Sequence, residues 1–469
     1  MIHPRLLRAL QLTPKNQGVR HVHATYAHDA LCGIFLVSLI PGCGGGGDST
    51  PHPVLLAPAS TNVVAYWTDV GAATVNATVA TATTPEERRP TFHADLATMH
   101  LAIYDAVSAI DGRYKPYLVT PVTVAAGAST EAAASAAAYS VLRALFPNRG
   151  AHYQAAYDSY LAGIPAGDAK TRGLALGAEV GAAIVANRAN DGRAIVLQPY
   201  VPGTAPGKFR GMNPVSRFSP AIRPFIMTSA SQFRPGPPPA LDSAVYAADF
   251  NEVKELGGTV STRRTAEQLD TARFHTEMPP IFLTRNFGRF ARTTSDVADA
   301  ARLMAAIYTG FADANNACFE AKYFYETWRP LSAIPLADTD NNPATVPDPG
   351  WTPVVPTPNH PEYPAAHSCT AGFLGELLRI YYGTENVTYT LNSNVTGTTR
   401  TYTNTGAFTE ECTAARIHGG MHFRYSTAAG AELGKQVAHG RCSARLACVK
   451  NSLAEPRCGA GGGAHPTFN

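Results

Sequence analysis

Three short basic clusters within a hundred residues constrain this chain more than any other feature. The first is Lys322-Tyr-Phe-Tyr-Glu-Thr-Trp328-Arg329-Pro330. The second is His360-Pro-Glu-Tyr-Pro364-Ala365-Ala366-His367-Ser368. The third is Ala415-Arg416-Ile-His418-Gly419-Gly420-Met421-His422-Phe423. Aromatic and apolar neighbours surround the cations, so these are not solvated faces. The carboxylates among them are too few to neutralise the charge. A fold that buries these segments must bring them together around something negative. Lys322, Arg329 and Arg416 with two imidazoles, His367 and His422, suit a tetrahedral oxyanion such as phosphate or vanadate.

The remaining composition belongs to a globular protein. The chain has 469 residues, 45% hydrophobic and 16% charged, with a net charge of +3. No polybasic run and no basic–aromatic interleaving points to nucleic acid. Residues 1–43 read as an export segment, with a charged leader followed by an apolar core from Leu31 to Ile40, too short to cross a bilayer. Leu39-Ile40-Pro41-Gly42-Cys43 is similar to a bacterial lipoprotein processing site, which makes Cys43 the expected lipid anchor. The expected location is therefore exported, periplasmic or lipid-anchored. Residues 44–60 form a Gly/Ser/Thr/Pro-rich linker. No run after residue 43 is long enough to span a membrane. Of the remaining cysteines, Cys318, Cys369 and Cys412 read as buried thiols, and Cys442, Cys448 and Cys458 are the candidates for a tail disulfide. None sits in a zinc-ligand spacing.

Hydrophobic periodicity predicts an all-α helical bundle over residues 61–440 with one β-hairpin near 387–403, and a disordered tail over 441–469. A helix is expected from Pro90 to Asp111, stopped by Gly112. Its His93 and His100 lie two turns apart but lack ligand partners, so they read as satisfied core histidines. Further helices are expected at 129–145, 152–161, 169–187, 242–256, 265–277 and 367–382. Residues 190–240 are rich in Pro and Gly and read as a long excursion walling the site. The stretch 295–328 reads as one helix or two broken near Asn315-Asn316, placing Lys322 and Arg329 two turns apart on one face. Residues 331–363 are Pro-rich and irregular. A last helix, capped by Thr409, is expected to carry both Arg416 and His422 to about Val437. His418 and His422 would then form an i,i+4 pair, but Gly419 stands where the zinc-protease motif needs Glu.

Lys-x6-Arg-Pro, Pro-x-x-His and Arg-x5-His, in this order, resemble the superfamily of vanadium-dependent haloperoxidases and type 2 phosphatidic acid phosphatases. Tyr104-Asp105-Ala-Val-Ser-Ala-Ile-Asp111-Gly112 and Gly420-Met-His-Phe-Arg424-Tyr-Ser are similar to its exported bacterial haloperoxidase branch. The resemblance implies that Lys322, Arg329, Arg416 and the Ala366 N–H bind the oxyanion. It implies that His422 ligates vanadium or attacks phosphorus, and that His367 is the acid–base. Vanadate would be the cofactor, with hydrogen peroxide, halide and a small organic molecule as substrates. His360 would lie on the halide side, where bromide-oxidising relatives also have a histidine. Pro-Ala-Ala-His replaces the usual Pro-Ser-Gly-His, removing one hydroxyl donor. A vanadium haloperoxidase-like peroxidase is the first expectation. An acid phosphatase working through phosphohistidine and a non-catalytic anion-binding protein are the alternatives.

Overall fold

The computed structural model describes residues 62–81, 91–277 and 279–442. The export segment, Cys43, the linker, Cys448, Cys458 and the tail after Cys442 lie outside the described residues. Thirteen α-helices and one hairpin are described, in the order α1 (Val63–Thr81), α2 (Phe92–Asp111), α3 (Thr130–Leu145), α4 (Gly150–Leu161), α5 (Asp168–Arg188), α6 (Ala244–Gly257), α7 (Ala266–Phe274), α8 (Pro279–Thr293), α9 (Val297–Tyr325), α10 (Pro330–Ala333), α11 (Ala366–Tyr382), β1 (Tyr389–Ser393), β2 (Thr398–Tyr402), α12 (Ala407–His418) and α13 (Arg424–Cys442). The strands pair antiparallel, Tyr389 opposite Tyr402 and Ser393 opposite Thr398. No described helix is long and apolar enough to cross a membrane.

Helix α9 is the axis of the bundle. Asp296 caps its first turn by accepting from the Asp299 N–H at 2.8 Å. Ala300, Ala301, Ala305, Ala306, Ala312, Ala314, Ala317 and Ala321 are all buried along it. Small side chains on every face let α1, α2, α8, α11 and α13 pack around one helix. The helix is unbroken at Asn315-Asn316 because both amides lie 3.3 Å from the His93 ring of α2. Close backbone approach sets two other pairs. A Cβ at Gly177 of α5 would lie 2.1 Å from the Ala133 carbonyl of α3, and one at Gly434 of α13 would lie 2.0 Å from the Cys369 carbonyl of α11. The second approach presses α13 against the helix that starts beside His367.

Gly112 (φ 74°) and Gly383 (φ 68°) end α2 and α11 in the left-handed conformation, as their positions predict. Helices α1 and α8 were not predicted, and four more expectations fail. Residues 331–363 contain a helical turn at Ala337–Thr339, and α10 begins just before them. Lys322 and Arg329 do not share a helix: α9 stops at Tyr325 and Glu326 turns left-handed (φ 54°). The last predicted helix is two, broken at Gly419–Phe423, so His422 is in a loop and forms no i,i+4 pair with His418. Thr409 does not cap it; its hydroxyl donates to the Ala371 carbonyl at 2.8 Å.

Residues 190–240 contain only one short helical turn, Ser219–Ala221. They wrap the end of α9. The Phe209 N–H donates to the Glu326 carbonyl, and the Val215 N–H to that of Asn359. The Tyr363 hydroxyl donates to the Gly236 carbonyl at 2.7 Å. The Asp313 carboxylate on α9 accepts the N–H groups of Phe225, Ile226 and Met227. The Asp105 carboxylate on α2 does the same for Tyr117, Leu118 and Val119. Each buried carboxylate pins a loop that has no ladder of its own.

His100 is not the satisfied histidine the sequence suggests. It is fully buried, stacks on Tyr308 at 4.4 Å between ring centroids, and has no hydrogen-bond partner on either nitrogen. Burial pushes its pKa down to about 3. Between that value and the ordinary 6.5, the unfolded chain takes up a proton that the folded chain refuses. Stability therefore falls as pH drops through this window. His100→Phe keeps the stack and removes the titration. Urea unfolding at about pH 5 should show it gaining about 2 kcal/mol over wild type, with little difference at about pH 8. Equal pH profiles would refute the assignment.

Candidate active site

Arg329, Arg416 and His422 each sit next to an apolar anchor. Trp328, Ile417 and Phe423 are buried in a second, smaller core with Tyr246, Phe250 and Trp351. Their chain neighbours Arg329, Arg416 and His422 therefore have little freedom to move. Pro330 opens α10, and the residue before a proline is driven out of the helical region. Arg329 accordingly takes φ −87° and ψ 158° and turns inward. Gly420 (φ 77°) makes the other turn: a Cβ there would meet the Gly257 carbonyl at 2.4 Å. The backbone of α6 therefore takes the space that a side chain at 420 would need.

Lys322, Arg329, Arg416 and His422 are at most 2% exposed. The Lys322 ammonium donates to the carbonyls of Pro361 (2.8 Å) and Glu362 (2.9 Å). Arg329 donates from Nε to the His360 carbonyl (2.9 Å) and from Nη1 to the Met421 carbonyl (2.8 Å). Its Nη1 also donates to His422 Nε2 at 2.8 Å, and its Nη2 lies 3.0 Å from His360 Nδ1. Arg416 donates from Nη1 to the His275 carbonyl at 2.9 Å, lies against the Met421 sulfur, and leaves Nε buried without a partner. Burial lowers the pKa of Lys322 to about 7. It also lowers both guanidinia, which stay charged.

No sequence signal points to the carboxylate that orients His422. It is Glu362, fully buried, whose Oε1 accepts from His422 Nδ1 (2.8 Å) and from the Phe423 N–H (3.0 Å). Since Oε1 already accepts from that N–H, Nδ1 carries the imidazole proton and Nε2 keeps its lone pair. Burial pushes Glu362 up to about 7 against the pull of Arg329 and Lys322. Burial, then Arg329, Lys322, Arg416 and His360, hold His422 well below the ordinary imidazole value. Burial, then Arg416, His275, Arg329 and Lys322, do the same for His367. Both imidazoles are neutral and both feel all three cations, so the three clusters converge. The charge count favours an anion: three buried cations face one buried carboxylate.

His367 is half-buried in the first turn of α11. Ala365 provides no side-chain cap there, so the first N–H groups, including that of Ala366, remain free for an anion. His367 also lines a small cavity with His275, Phe282, Leu283, Thr370 and Phe408. His275 Nε2 pairs with Glu411 at 2.9 Å, a dyad that lies outside the three clusters. His360 is no surface loop histidine: it is 7% exposed, bonded to Arg329 and packed edge-on against Phe319 at 5.1 Å. His418 stands apart. Its charged neighbours are Glu252, Arg424 and Arg264.

Residues 302–450 match the family model of the VCPO second helical-bundle domain. The fold is similar to the crystal structure of the first bacterial vanadium-dependent iodoperoxidase, with TM-score 0.67 and 21% identity over 84% of this chain and 98% of that one. It is also similar to a bacterial vanadium-dependent chloroperoxidase. The holo form gives TM-score 0.60 and 15% identity over 75% of this chain and 90% of that one. The apo form gives 0.59 and 14% over 75% and 92%. No curated protein matches the chain.

Proposed function

For a chain that has the vanadium haloperoxidase fold and carries that superfamily's second helical-bundle domain, we propose a vanadate-dependent peroxidase that uses hydrogen peroxide to oxidise halide. The observation that carries this is a neutral, Glu362-oriented His422 with Arg329 at its Nε2 and with Lys322 and Arg416 buried close enough to act on its charge. The partnerless Arg416 Nε and the shortage of buried carboxylate fit a multiply charged oxyanion. Vanadate would bring its own oxygens, so His422 Nε2 suffices as the protein ligand. Its chemistry, when bound, is the activation of peroxide for two-electron oxidation of halide.

The chain's own groups supply the remainder. Arg329 Nη1 gives up its bond to His422 Nε2 and turns to an oxygen of the anion. Lys322 and Arg416 hold further oxygens, and in a dry site each such donor is worth a few kcal/mol. Glu362 holds the imidazole so that Nε2 points at the anion. Neutral His367 accepts the proton that peroxide loses on binding and returns it as the oxidised halide leaves. His360, bonded to Arg329, lies on the halide side. The export-like sequence of residues 1–43 supports an extracytoplasmic setting for this chemistry, with a small organic molecule as the final acceptor.

The test is peroxide-dependent bromination with and without added orthovanadate, beside phosphate-ester hydrolysis on the same sample. Bromination that appears only with vanadate is expected. Hydrolysis that vanadate inhibits, without bromination, would replace this proposal with a phosphohistidine phosphatase. Neither activity would leave an anion-binding protein.

A further inference from the structure

The mechanism makes no use of two buried thiols directly behind the site. Cys318 lies one turn before Lys322 on α9, and Cys369 lies two residues after His367 on α11. Both are fully buried and free. Their sulfurs approach to 2.7 Å across the α9–α11 contact. Less than an ångström separates that distance from the roughly 2.05 Å of a disulfide. The Cys318 sulfur also lies 3.6 Å from the Pro364 carbonyl, inside the second cluster. Burial pushes the Cys369 thiol up against the opposing pull of Lys322, so the approach of the two sulfurs, and not a standing thiolate, is what favours the pairing. Cys412, the other described free thiol, is buried on α12.

We propose that Cys318 and Cys369 are a two-electron redox pair that hydrogen peroxide closes to a disulfide in the folded protein. One S–S bond forms and two S–H bonds break. Peroxide takes both electrons and both protons and leaves as two waters. The covalent ring so formed encloses Lys322, Arg329, His360, Glu362 and His367. It ties the helix carrying the ammonium to the helix carrying the acid–base. This inference does not rest on the bromination proposal, since it requires only the two thiols and peroxide.

The test uses the full chain, reduced, freed of reductant and treated with peroxide in excess. The protein is then unfolded in iodoacetamide, digested without reductant and mapped by mass spectrometry. A peptide pair linked through 318 and 369, with alkylation of both lost together and restored by reductant, is expected. Cys369→Ala should abolish the link and leave Cys318 unpaired; if that variant fails to fold, the wild-type map decides by itself. Full alkylation of both thiols after peroxide overturns the proposal. So does separate oxidation of each to sulfinic acid, or a link from either to Cys412.

Discussion

His422→Ala removes bromination by about three orders of magnitude or more, while the protein stays folded and still binds phosphate. The loss follows from Nε2, the lone pair that the surrounding hydrogen bonds leave for a ligand. The truncation removes one ring from a loop already held by buried Phe423 and by Gly420 against α6, so the fold survives. Lys322, Arg329 and Arg416 remain, and phosphate should still raise the melting temperature. Glu362→Gln gives the graded case. An amide oxygen can still accept from Nδ1, so the tautomer survives but the imidazole is less basic. Activity should fall about 10- to 100-fold, as for other groups that orient a ligating histidine. His367→Ala should suppress turnover and spare anion binding. An active His422→Ala variant would remove the assignment altogether.

The three clusters were legible because the spacing within each is short and each sets a cation or a histidine beside a turn former. Their meeting was legible only through charge: three cations with so few carboxylates are not stable when buried apart. Helix continuity was less legible. Apolar periodicity runs through Glu326 and through Gly419-Gly420, so both stretches read as unbroken helix. The backbone leaves the helix where a left-handed residue or a close approach to α6 requires it. Pro330 carried a usable signal, since it bars the residue before it from the helical region. Helix α8 was hidden by Pro279-Pro280, which reads as a breaker although proline is tolerated in a first turn. Glu362 lies in a Pro-rich segment with no period, and only the fold shows that it faces His422. His275 and Glu411 are far apart in the chain and join only through packing.

Lys322→Met should make the anion-free protein more stable and the anion-loaded protein weaker. The ammonium is fully buried, and its bonds run to the carbonyls of Pro361 and Glu362. Burial depresses its pKa from 10.5 to about 7. Across that window the unfolded chain holds a proton that the folded chain gives up, so wild-type stability should rise with pH from about 7 upward. Methionine fills a similar volume without a charge. Replacing a poorly compensated buried charge with an apolar side chain is often neutral or stabilising by about 1–4 kcal/mol. Two carbonyls lose a donor, which offsets about 1 kcal/mol of that each. Urea unfolding near neutral pH should therefore place the variant at or up to about 2 kcal/mol above wild type. Its stability should also lose the rise with pH. Vanadate or phosphate at a hundredfold excess over the dissociation constant should then stabilise wild type by about 2.7 kcal/mol. The same excess should leave the variant nearly unmoved, because the missing cation was one of three facing the anion. A variant that loses about 2 kcal/mol or more without anion, or that gains as much from vanadate as wild type does, would show that Lys322 serves the fold rather than the ligand.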